Sequence, residues 1–68
     1  MLDIAHQAML AAVADAGTYE LDLSLATRER MELKRVLVAL RNAGLLEEVD
    51  GLWAITECGR AALAAARR

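Results

Sequence analysis

The clearest hydrophobic period lies in the middle of the chain. Leu33, Val36, Leu37 and Leu40 recur at i, i+3, i+4 and i+7 and line one helix face, with Lys34, Arg35, Val38, Arg41 and Asn42 on the sides and back. The helical run closes at Asn42-Ala43-Gly44, where a glycine just past the last turn supplies the positive φ of a left-handed cap. Leu45–Val49 and Leu52–Ile55 then flank Asp50-Gly51, a dipeptide suited to a type I′ turn. A two-residue loop sets Val49 opposite Leu52, Glu48 opposite Trp53 and Leu46 opposite Ile55. Because strand side chains alternate, Leu46, Trp53 and Ile55 share a face with Glu48, and the acidic side chains of the tip stay in water. Thr56 follows as an N-cap for the amide of Gly59, with Glu57 in a first turn whose dipole favours an anion. The last helix, from Thr56 to Arg68, is rich in alanine, and Leu63 is its only large apolar residue beyond the first turn.

The amino-terminal half is less uniform. Asp3 caps a first helix running to about Ala16, and Gly17 stops it. Ala5, Met9, Ala12, Val13 and Ala16 form its apolar stripe. Tyr19 to Leu25 alternates strictly, the pattern of a half-buried strand. Leu23 to Arg30 can equally form a short helix capped by Asp22 or Ser24. The division adopted is a brief strand over Tyr19–Leu21, a second helix over Leu23–Arg30 and a third helix from Met31.

Sixty-eight residues allow one domain, spanning 1–68. The 57% hydrophobic content overstates the core, since 15 residues are alanine and none is phenylalanine. A chain this small gains little net stability from its own core, so a partner or a self-association surface is expected. A single cysteine, Cys58, excludes an internal disulfide and cannot alone build a zinc site. Met1-Leu2-Asp3 opens acidic rather than basic, unlike a secretory signal, and no apolar run reaches membrane-spanning length. A cytoplasmic protein with no membrane partner is expected.

The stretch from Leu33 to Leu63 resembles the second half of the winged helix-turn-helix domains of MarR-type and related bacterial transcription regulators. Leu40, Ala43-Gly44-Leu45 and Ile55-Thr56-Glu57-Cys58-Gly59-Arg60 carry the resemblance. It implies a mainly α fold with a small β-hairpin: three helices, a wing sheet of two or three strands, and a C-terminal helix. It also implies a third helix in the DNA major groove and a role in transcription regulation. A homodimer paired through the alanine-rich first and last helices is expected, since two-fold pairing doubles the contacts on a palindromic site. No glycine or small polar turn separates the expected second and third helices, a departure from the helix-turn-helix pattern.

Charge distribution bears on that implication more than the net charge of −2. Arg28, Arg30, Lys34, Arg35 and Arg41 fall within one window opposed only by Glu29 and Glu32. These five are the expected contacts to double-stranded DNA, through guanine edges or phosphates. Taken singly, each is as well explained by a solvated helix face paired at helical spacing. The wing departs from the family pattern, because Glu47, Glu48 and Asp50 would repel phosphate. The alternative reading is therefore a protein-interaction module, an adaptor or inhibitor, whose acidic wing meets a basic partner.

Other side chains carry less. Cys58 at a helix start has the position of a redox sensor but reads better as a small buried filler. His6 lacks ligands at metal spacing, and Trp53 reads as a packing residue. No nucleophile–base pair, phosphate-cradling loop or paired-carboxylate site is present, so neither enzymatic activity nor a cofactor is expected.

Overall fold

The computed structural model describes residues 3–21 and 23–67. Its elements are α1 (Ile4–Ala16), β1 (Tyr19–Glu20), α2 (Thr27–Asn42), β2 (Leu46–Val49), β3 (Leu52–Ile55) and α3 (Glu57–Ala66). The described residues thus form three helices and one antiparallel three-stranded sheet of order β1-β3-β2.

The hairpin register is the expected one, with Leu46 opposite Ile55, Glu48 opposite Trp53 and Val49 opposite Leu52. Asp50 at φ 53° and Gly51 at φ 81° have the paired positive φ of a type I′ turn, whose twist matches that of the strands. β1 adds the third strand, placing Tyr19 opposite Trp53 and Glu20 opposite Leu52. Gly44, at φ 80°, ends α2, and the Leu45 amide closes the cap on the Leu40 carbonyl at 2.9 Å.

Thr56 joins the hairpin to α3. Its hydroxyl accepts the Gly59 amide at 3.0 Å and donates to the Gly44 carbonyl at 2.7 Å. One side chain therefore caps the start of α3 and ties it to the end of α2. Gly59 lies where α3 meets the chain before β2. A methyl group there would overlap the Leu45 carbonyl oxygen and meet Ile55 Cγ1 at 2.7 Å. Only glycine permits that approach.

The core gathers Met9, Leu10 and Val13 from α1, Leu37 and Leu40 from α2, Leu46, Trp53 and Ile55 from the sheet, and Leu63 from α3. The expected α1 stripe is corrected here: Ala5, Ala12 and Ala16 are exposed, and Leu10, outside that stripe, is fully buried. The helix turns its larger apolar side chains inward, because each removes more area from water than an alanine does.

A second correction concerns the expected helix over Leu23–Arg30. Leu23 and Ser24 lie in a turn, and α2 runs unbroken from Thr27 through the boundary expected at Met31. Thr27 to Asn42 contains no glycine or proline to break the ladder, and Leu23 is 76% exposed, so a separate helix there would have buried little. Ala26 occupies the N-cap position without a side-chain hydrogen bond. Asp22, the other expected cap, lies outside the described residues.

Candidate nucleic-acid interface

All five expected DNA-contacting cations sit on α2, and the fold divides them into groups with different surroundings. Arg28 and Arg35 are two helical turns apart and therefore lie along one line of the outer face. Both are exposed, and with Thr27, Met31 and Glu32 they border a shallow concavity. Met31 between them is 60% exposed, a large apolar side chain kept in water. Lys34 is exposed as well but turns toward the sheet. It lines a cleft of about 220 Å³ with Glu20, Leu21, Leu23, Glu48, Gly51 and Trp53. Arg28, Lys34 and Arg35 form no ion pair among the described residues.

The other two cations differ: Arg30 makes one long contact and its Nε is buried with no hydrogen-bond partner among the described residues, whereas Arg41 is paired. Arg30 is half-buried, and its Nη2 donates to Thr27 Oγ1 at 3.4 Å. Arg41 Nη1 donates to Glu48 Oε1 at 3.1 Å, and its guanidinium lies 5.7 Å from the centroid of the Trp53 ring. Arg41 is therefore exposed, as a residue on the side of the helix should be, but its charge is directed to the hairpin. The reason is positional, since Arg41 stands one residue past the buried Leu40, beside the point where the sheet packs on α2.

The carboxylates of the sheet are likewise sorted by strand alternation. Glu48 shares the core-facing side with Leu46, Trp53 and Ile55, whereas Glu47 lies on the opposite face with Val49, Leu52 and Glu20. Glu20, Glu47 and Asp50 are exposed and in no ion pair among the described residues. Val49 and Leu52, opposite each other on that face, are 61% and 42% exposed. The molecule thus carries a cationic outer helix face and, separately, an anionic outer sheet face, each with apolar side chains at its centre.

At the amino end, Asp3 Oδ1 accepts the His6 amide at 2.8 Å and lies 2.5 Å from His6 Nδ1. These contacts with His6, the backbone bond first, hold the Asp3 carboxyl below its ordinary value of 3.8. Cys58 is exposed, which corrects the expectation of a buried filler: Gly59 and Leu63 take the inward face of α3, and the residue before Gly59 turns outward. Among the described residues no group of three His, Cys, Asp or Glu side chains is placed to hold a metal ion, and no helix is long and apolar enough to cross a membrane.

Met31, at the centre of the outward face that Arg28 and Arg35 share, is not among the expected contact residues. Its spacing, three residues after Arg28 and four before Arg35, was the available signal. No protein-family model, curated protein or solved structure matches the chain.

Proposed function

We propose that this chain is a small winged-helix DNA-binding module, a transcription regulator that reads duplex DNA with the outer face of α2. The observation that carries the reading is the exposure of Arg28, Lys34 and Arg35 on one helix, none of them in an ion pair among the described residues. Cations held free of partners are poised to neutralise phosphate, and arginine can also fork two hydrogen bonds to a guanine edge. The element order and the β1-β3-β2 sheet, with a type I′ hairpin leading into a capped helix, support the winged-helix part of the reading.

In this reading the wing is a structural support for α2. Glu48 and Trp53 hold Arg41, and the exposed carboxylates keep the tip away from phosphate. The contact set is then Arg28, Lys34 and Arg35, with Arg30 and Arg41 serving the fold. Pairing of two copies through the exposed alanine faces of α1 and α3 would place two such helices on a palindromic site, since one helix reads only a few base pairs. Fluorescence anisotropy with random-sequence duplexes at two salt concentrations tests the proposal. Binding at low salt that weakens steeply as salt rises is expected; no affinity at low salt overturns it.

A further inference from the structure

We propose that the outer face of α2 also docks onto the outer sheet face of a second copy of this chain, in a head-to-tail contact that covers the cationic surface. The proposal does not depend on DNA binding. It rests on complementarity between two unpartnered surfaces that every copy carries.

The helix surface presents Arg28 and Arg35 around Met31, with Lys34 at its sheet-side flank and Glu32 at its far rim. The sheet surface presents Glu20 and Glu47 around Val49 and Leu52, with Asp50 at the tip. Among the described residues neither Glu47 nor Asp50 meets a cation: Arg41 lies on the other side of the hairpin against Glu48 and Trp53, and Lys34 reaches only its edge, in the cleft it shares with Glu20 and Glu48. Met31, Val49 and Leu52, at 60%, 61% and 42% exposure, are three of the five large apolar side chains that remain in water among the described residues. Docking one face on the other covers all three and sets Arg28, Lys34 and Arg35 against Glu20, Glu47 and Asp50, with Glu32 left at the solvated rim.

Charge also decides against the symmetric alternatives. Two sheet faces brought together would set Glu20 and Glu47 against their own copies, and two helix faces would oppose Arg28 and Arg35. Like charges directly opposed are destabilising, so only the unlike pairing remains. The contact is heterologous, joining different patches on the two copies. Exposed ion pairs are weak and screened by salt, so the association belongs to high protein concentration and low ionic strength. A copy whose α2 face is covered cannot place that face on DNA.

Sedimentation of the full chain without DNA tests the proposal. The average mass should rise with concentration at low salt and return to that of a monomer at high salt. Arg28→Glu/Arg35→Glu and Glu20→Lys/Glu47→Lys should each stay monomeric at low salt. An equimolar mixture of the two variants should associate again, by pairing the unaltered face of each with that of the other after the second face of both has been reversed in sign. All four positions are exposed, so both variants should fold, and circular dichroism checks that they do. A wild-type chain that stays monomeric at every concentration overturns the proposal. So does association that persists in both variants, which would place the contact on another face such as α1 and α3. Because DNA is absent, neither result bears on duplex binding.

Discussion

Arg41 on α2 and Glu48 on the hairpin are joined by a hydrogen-bonded ion pair of 3.1 Å, roofed by the Trp53 ring at 5.7 Å from the guanidinium. The two residues are seven apart in sequence, with the helix cap between them. The pair therefore bridges the end of the helix and the hairpin, beside the cap that joins them. It also consumes one of the cations that the helix would otherwise offer to a ligand.

Arg41→Ala should accordingly behave as a stability variant. Both side chains are more than a third exposed or close to it, at 43% and 33%, so the ion pair alone is worth well under its unscreened value. Together with the stacking on Trp53, the loss should be about 1 kcal/mol, a fall in Tm of roughly 4–8 °C for a domain of this size. Its DNA salt dependence should match that of the wild type. A reduced slope would return Arg41 to the contact set.

Gly59→Ala should be more damaging than its helical position suggests. Alanine ordinarily favours a helix, but here the added methyl meets the Leu45 carbonyl and Ile55. Separating α3 from the hairpin should cost roughly 2 kcal/mol, read by chemical denaturation. An unchanged or raised midpoint would show that the two elements can part freely.

Replacing Asp50-Gly51 by Val-Val should destabilise the hairpin, since both positions have positive φ and β-branched residues resist it. A loss of about 2 kcal/mol or more is expected from two strained residues. Asp50→Asn/Gly51 unchanged should melt near the wild-type temperature, because asparagine tolerates the left-handed region. Equal melting of both variants would contradict the turn assignment.

The Asp3 cap gives a pH dependence. Its carboxyl titrates lower in the folded chain than the ordinary 3.8, so its contribution is complete above that value and is lost as pH falls through the lower folded value. Asp3→Ala should lower Tm at neutral pH, and the gap from the wild type should narrow as the solution is acidified below about 4. A gap that is constant from neutral pH into that acid range would mean the carboxylate is not the cap.

The half of the chain from Leu33 onward was legible because each local signal agreed with the next. Gly44, Asp50-Gly51 and Thr56 each demand one backbone geometry, and the three are compatible only in one helix–hairpin–helix arrangement. The stretch from Tyr19 to Arg30 was not, because a two-residue strand leaves too short an alternation to fix its end. There the start of α2 at Thr27 was set by the length of an unbroken helix packed on the sheet, with no capping side chain to mark it. In α1, alanine spacing does not mark the buried stripe, since small side chains suit a core and a solvated face equally well. The five cations were legible as a cluster, but their division required tertiary contacts: only the folded hairpin brings Glu48 and Trp53 to Arg41.

The salt dependence of duplex DNA affinity, compared between the wild type and an Arg28→Ala/Lys34→Ala/Arg35→Ala variant, tests the central claim most directly. Each phosphate contact contributes a slope of roughly 0.9 in log affinity against log salt. If these three exposed cations are the contacts, the variant should lose most of the wild-type slope and bind duplexes weakly even at low salt, while melting close to the wild type. Wild-type binding whose slope is unchanged in the variant would contradict the account, as would a folded wild type with no duplex affinity at low salt.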